Sequence, residues 1–294
     1  MTVIQQETDA AQTKARTSRS WRISKLIPKR WYIHVLLWIV IFIVGFPMLY
    51  AIIVSTQSNA ETLRFQFTFG SNFHHNLDVV INQRNLLRFM LNSTVLAIFV
   101  TMGKTILSLL AGLAFVYFRF PGKWIVFGFV LLTLLMPTEM LIIALFRLIS
   151  GMGWGDTFWA ISVPFLASAT GAFLFRQHFS NIPTELSEAA QMDGANPIQF
   201  LFRVLVPISW NTIGALAVIQ FVYMWNQYLW PLMIIRDERL QVVQVGLGSL
   251  QNFEGSTTYG PMMMGAVIAT IPPIVIFIAL QKQFMSGFAV SRDK

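Results

Sequence analysis

The chain has 294 residues, 55% of them hydrophobic and only 12% charged, with a mean hydropathy of +0.61. Soluble domains carry roughly 25% charged residues, so this composition excludes an ordinary soluble domain and points to a membrane protein. The formal charge is +8, and the absence of cysteine excludes disulfides, thiolate metal sites and cysteine nucleophiles.

Residues Met1 to Arg30 are polar and basic, holding Lys14, Arg16, Arg19, Arg22, Lys25, Lys29 and Arg30. The composition predicts a largely disordered tail, with an interfacial turn at Trp21 to Ile27. Trp31 to Ser55 follows, apolar throughout. It is longer than a signal-peptide core and lacks a small-residue cleavage site, so it reads as a retained spanning helix. Five further apolar runs are near the ~20 residues that a bilayer core requires. They are approximately Phe89 to Phe118, Lys123 to Ile149, Thr157 to Phe179, Trp210 to Ile235 and Gly260 to Gln283. The runs are continuous rather than alternating, which predicts six spanning helices in an all-α membrane protein, not a barrel.

Six spans put both termini on one side. With that side cytoplasmic, the inner segments hold the seven basic residues of the tail plus Arg119, Lys123, Arg176, Arg203, Lys282, Arg292 and Lys294. The outer segments hold Arg64, Arg84, Arg88, Arg147, Arg236 and Arg239, and Lys104 lies within a span. The excess is on the inside, as the positive-inside rule asks, and it accounts for the net charge with no nucleic-acid partner. Two domains follow: the tail, 1–30, and a six-span transmembrane body, 31–294.

Two connections are long, Gln57 to Arg88 outside and Arg176 to Ser209 inside. The inner one reads as two short helices. Thr184 is placed to cap the first, and Glu185 and Glu188 suit the positive end of its dipole. Gly194 is the natural stop, Asn196-Pro197 an N-cap and first residue of the second helix, and Pro207 its end. Ala189 and Ala190 offer a close-approach surface flanked by Leu186 and Met192, with Asp193 beside Gly194. This is either a helix–turn–helix that docks into a partner's groove or an interfacial amphipathic loop.

Polar residues recur at one depth inside the spans. At ~1.5 Å per residue, Lys104 lies ~21 Å, Glu139 ~24 Å and Asn226 ~24 Å from the inner ends of their helices. Trp225, Gln227 and Tyr228 adjoin Asn226. Intramembrane charges face the bundle or a wet cavity. One reading is a translocation cavity in which Asn226, Gln227 and Tyr228 bond solute hydroxyls, Trp225 stacks on the solute and Lys104 meets a phosphate. The other is a structural Lys104–Glu139 ion pair, with Trp225 and Trp230 in an interfacial belt. Pro272-Pro273 predicts a kink in the last span, and Gly265, Ser108, Ala111 and Gly112 permit close helix approach.

No catalytic chemistry is visible. Gly103-Lys104-Thr105 is the nearest approach to a phosphate loop, but Ile98 stands where the first glycine belongs and the triplet lies in a span. The four histidines are scattered, so neither a metal site nor a cofactor is expected. Any ATP and Mg would be handled by another subunit.

The inner loop carries Glu188-Ala189-Ala190, then Gly194, then Val204-Leu205-Val206-Pro207. This resembles the EAA signature of ABC-importer permeases, with valine at two positions of the terminal aliphatic pattern. "LNSTVLA", "FRFPGK", "ASATGAFLFRQHF", "WNQYLWPL" and "LQKQFMSGF" extend the similarity to carbohydrate-uptake permeases of the maltose type, most closely those serving sn-glycerol-3-phosphate. The resemblance implies a permease fold with a coupling helix, in the loop at about 180–209, seated on an ATP-binding subunit dimer. It also implies a homologous second permease, an extracytoplasmic solute-binding protein and a place in the bacterial inner membrane. The expected cargo is glycerol-3-phosphate or a glycerophosphodiester. An oligosaccharide permease is the near alternative and an ion-gradient-driven transporter the distant one.

Overall fold

The computed structural model describes residues 31–253 and 256–288. The basic tail with its expected disorder and interfacial turn lies outside them. Contacts divide the chain at Ala51 into an N-terminal unit and a main body from Ile52.

Helix α1, Trp31–Val54, is apolar on every side and exposed along almost its whole length. A helix satisfies its own backbone groups, so such a uniformly apolar rod is stable in lipid. The main body begins with the connection to α2 (Leu86–Tyr117), which is built rather than loose. Buried Gln57 donates through Nε2 to the carbonyls of Gln66 and Thr68, at 2.8 and 2.7 Å. Asn76 Nδ2 reaches the carbonyls of Ser55 and Gln57, and Ser58 and Glu61 form a capping box on the short helix Asn59–Leu63.

The third apolar run is broken, against expectation. Helix α3, Lys123–Leu134, is followed by Pro137, a 3-10 turn over Thr138–Leu141, and α4, Ile142–Gly151, at 92° to it. Proline supplies no backbone N–H and disfavours helical geometry in the residue before it, which explains the break. A short helix, Phe158–Ser162, then leads through Pro164 to α5, Ala169–Ser180, capped by Ser168 Oγ accepting from Gly171 N. Helix α6, Thr184–Met192, opens the inner loop.

The fifth run also departs from the expectation of one helix to Ile235. Helix α7, Trp210–Trp225, stops at Asn226, and a separate turn covers Leu229–Ile234. Consecutive polar residues at Asn226 and Gln227, with Pro231 beyond, interrupt the ladder. After α8, Val243–Leu250, a two-residue antiparallel pair joins Asn252–Phe253 to Ser256–Thr257. Helices α9, Tyr259–Ala269, and α10, Ile271–Phe288, run as one span interrupted at Thr270. Pro272 and Pro273 fall in the first turn of α10, where missing donors cost least.

Among the described residues, four helices are long and apolar enough to cross a membrane, or six if each of two bent pairs counts as one crossing. Helix α2 is the central post, packed on α5 and α7, while α7 also packs on α10. The first half of α2 joins a large apolar cluster with Trp225, Trp230 and Leu250. Its second half joins a smaller one with Phe175, Phe179, Ala190 and Phe200. Glycine makes the α2–α5 contact possible: a Cβ on Gly112 would lie 2.7 Å from that of Phe175, and one on Gly171 would meet Ser108 Oγ.

Candidate functional site

The polar mid-span residues converge on a cavity of about 200 Å³ beneath the break after α7. Glu139 enters from the turn after Pro137, and Tyr223, Asn226, Gln227 and Tyr228 from the end of α7. Phe165 and Trp230 form apolar walls. The two helix breaks are what open this space, because each replaces helical backbone by a turn whose side chains diverge. Asn226 Oδ1 accepts from Gln244 Nε2 at 3.2 Å, tying the rim to α8.

Lys104 sits just behind this cavity. It is 6% exposed, and Nζ donates to Gln220 Oε1 at 2.9 Å. The Tyr223 ring covers it, with Nζ 4.7 Å from the centroid, while also lining the cavity. Gln220 in turn donates through Nε2 to Ser168 Oγ at 3.0 Å, so one polar relay joins α2, α7 and the cap of α5. Among the described residues Lys104 and Glu139 form no ion pair, so the structural pair entertained from sequence is not what anchors this lysine.

Both tryptophans differ from expectation. Trp225 is 2% exposed and stacks on Phe221 with centroids 6.0 Å apart, so it belongs to the core and is not among the residues that line this cavity. Trp230 is equally buried, with Nε1 donating to the Ala160 carbonyl at 3.0 Å, not part of an interfacial belt. Gln220, Tyr223 and Ser168 were missed in sequence reasoning. The available signal was Gln220, Tyr223 and Gln227 at intervals of three and four, a polar stripe on an otherwise apolar helix.

The inner loop forms a second site. Glu185, Glu188, Ala189 and Met192 share the exposed face of α6, at the 3–4 spacing of one helical stripe, with Met192 88% exposed. Ala190 points the other way: it is 9% exposed and packs with Phe179, Phe200 and Leu205, so it is a foot of the helix and not part of its outer face. Thr184 is the first helical residue and its side chain caps nothing, since Pro183 holds the cap position. Gly194, at φ +73°, turns the chain, and Asp193 beside it is exposed. Asn196 caps the next helix in a box with Gln199. Pro207 does not end the second helix, as expected from sequence, but sits within its last short turn, Val206–Ile208, where a missing donor costs least, and the 82° bend into α7 comes at Ser209.

At the other end of the body, Asp156 accepts hydrogen bonds from the backbone N–H groups of Asp237 and Arg236. These bonds hold its carboxyl below the ordinary range. Asn92 Nδ2 donates to the carbonyls of Arg239 and Gln241, both at 2.9 Å, so the loop after α7 is pinned from two sides.

A bundle of broken apolar helices around a polar cavity, with a protruding acidic helix at one end, is the build of a transporter's membrane subunit. The chain belongs to the binding-protein-dependent transport system inner membrane component family, whose model matches residues 104–289. It is 37% identical over 264 residues to the sn-glycerol-3-phosphate transport system permease protein UgpE of Rhizobium meliloti, covering 86% of this chain and 94% of that one. It is 36% identical over 267 residues to the protein of the same description from Pectobacterium atrosepticum, covering 88% and 95%. In fold it resembles a chain of a bacterial ABC transporter involved in the import of the acidic polysaccharide alginate. The TM-score is 0.76 at 23% identity, over 90% of this chain and 98% of that chain.

Proposed function

We propose that this chain is one of two homologous permease subunits of an ABC importer for sn-glycerol-3-phosphate or a glycerophosphodiester. It crosses the membrane six times, α7 with its following turn serving as the fifth crossing, and both termini are cytoplasmic. Residues 1–30 precede a single permease body, 31–294. Import is driven by a separate ATPase dimer, which holds the ATP and Mg, while this chain performs no bond chemistry. A solute-binding protein delivers the cargo to the outer loops.

Helix α6 is the coupling helix. Its face of Glu185, Glu188, Ala189 and Met192 seats on the ATPase, with Asp193 and Gly194 forming the turn and Pro207 leading back to the membrane. Closure of the ATPase pair on ATP displaces α6, and Ala190, packed in the lower cluster, transmits that displacement to α2 and α5. The cavity is this chain's share of the pathway. Asn226, Gln227 and Tyr228 bond the glycerol hydroxyls, Glu139 accepts from one of them, and Lys104 supplies positive charge for the phosphate. Trp225 supports the floor from the core and does not touch solute.

The observation that carries the cargo reading is a buried lysine that meets no carboxylate among the described residues, beside a polar cavity, in a chain whose relatives are described as glycerol-3-phosphate permeases. The test is uptake of labelled glycerol-3-phosphate by proteoliposomes holding the whole importer. ATP-dependent uptake is expected. Uptake of an oligosaccharide in its place, or uptake driven by an ion gradient without the ATPase, contradicts the reading.

A further inference from the structure

Lys104 has more donors than partners. An ammonium carries three N–H groups. Among the described residues, what faces Lys104 Nζ is the Gln220 carbonyl oxygen, at 2.9 Å, and the Tyr223 ring. Neither neutralises it. Thr101 and Thr105, on the same helix, are also buried, and their hydroxyl oxygens find no partner among the described residues. A cation in a membrane interior is costly unless it is paired or hydrated. The surroundings therefore hold an ammonium in place without compensating its charge.

The holding is specific. Gln220 is itself 5% exposed and is fixed from behind by Ser168, whose oxygen also caps α5. Its carboxamide has no freedom to follow Lys104 elsewhere without breaking that relay. Tyr223 stands one helical turn further along α7, with its ring against Lys104 and its edge on the cavity. Tyr223 thus touches the charge and also lines the cavity, whereas Lys104 is not among the residues that line it.

We propose that Tyr223 is the movable cover of an anion subsite for a phosphate mono- or diester, with Lys104 as counter-charge and the Gln220–Ser168 bond as the stay that keeps Lys104 withdrawn. The inference rests on the pathway reading above. When the ring swings aside, phosphate oxygens accept from Lys104 Nζ in place of the Gln220 carbonyl, and the polyol end stays with Asn226 and Gln227. A neutral polyol gives no such exchange, so the cover makes this step selective for the charged cargo.

The chain has no cysteine, so single cysteines report cleanly. Asn226→Cys and Lys104→Cys are placed separately in the assembled importer in proteoliposomes and treated with a membrane-impermeant thiosulfonate. Asn226→Cys is expected to react directly. Lys104→Cys is expected to react slowly, and at least about tenfold faster when Tyr223→Ala is added, the equivalent of ~1.4 kcal/mol of lost cover. Reaction at Asn226→Cys with none at Lys104→Cys in the Tyr223→Ala background overturns the cover and leaves the pathway intact. No reaction at Asn226→Cys overturns the pathway reading and the subsite with it. A second arm tests the charge. Gln220→Glu places a fixed carboxylate on Lys104 and is expected to lower glycerol-3-phosphate uptake, per assembled complex, about tenfold more than Gln220→Met. Equal losses in the two variants contradict an anion subsite.

Discussion

The loop that carries α6 and the cavity under Tyr223 are both polar features in an apolar chain, yet they are organised in opposite ways. In the loop, charge faces outward, and the helix is held by an apolar foot of Ala190 in the lower cluster. In the cavity, charge faces inward, and Lys104 is held by neutral polar groups on two other helices. The first arrangement suits a surface gripped by another protein. The second suits a solute that arrives with its own charge. A permease needs both, and α2 connects them, because its first half packs in the apolar cluster that holds the cavity walls Phe165 and Trp230, and its second half shares a cluster with the foot of α6.

The sharpest way to break this contrast is to reverse charge on the outward face. Glu188→Arg is expected to reduce ATPase co-purification and uptake about a hundredfold, since like-charge contact at an interface costs several kcal/mol. Normal insertion with normal ATPase retention would show that α6 docks nothing. Next in size is the post between the two regions. Gly171→Leu forces a side chain onto Ser108, an overpacking expected to destabilise the body by about 1–3 kcal/mol, read as a lower melting temperature in detergent.

Smaller effects separate the two halves of the loop. Asn196→Ala removes a working cap and is expected to cost about 1 kcal/mol. Thr184→Ala removes no cap and is expected to stay within about 0.5 kcal/mol. A reversed order in the melting temperatures would contradict the capping assignment. Smallest is the latch at the other end. Asp156 has its carboxyl depressed on folding, so its contribution is present above the ordinary aspartate range and is lost as pH falls through its lowered value. At neutral pH, Asp156→Ala is expected to lower the exchange protection of the Arg236 and Asp237 amides, whereas in the native chain these amides lose protection, relative to their intrinsic exchange rate, only in acid.

The loop was largely legible in the sequence and the cavity only half so. Local rules decide the loop: Gly194 takes the left-handed turn, and Asn196-Pro197 starts the next helix. Local reasoning failed there at Thr184, because the helix starts one residue earlier with Pro183 at the cap, and at Ala190, because the rotation of α6 is set by a distant cluster. The cavity depends on non-local packing. Lys104, Glu139 and Asn226 were placed at one depth by counting residues along their helices. Their partners were not, because Gln220 and Ser168 lie 116 and 64 positions from Lys104. Periodicity cannot place Trp225, whose burial is decided by how α7 turns on α2. The breaks at Pro137 and Asn226 were hidden by uniform hydropathy, although proline in the first and paired carboxamides in the second were there to be read.

The central claim is that α6 presents one face to the ATPase and roots the other in its own body. Single cysteines at Ala189, Ala190 and Met192, each crosslinked to the ATPase in the assembled importer, test it most directly. Capture at Ala189→Cys and Met192→Cys, with little at Ala190→Cys, is the predicted result. Capture at Ala190→Cys alone, or none at all three while uptake continues, would contradict it.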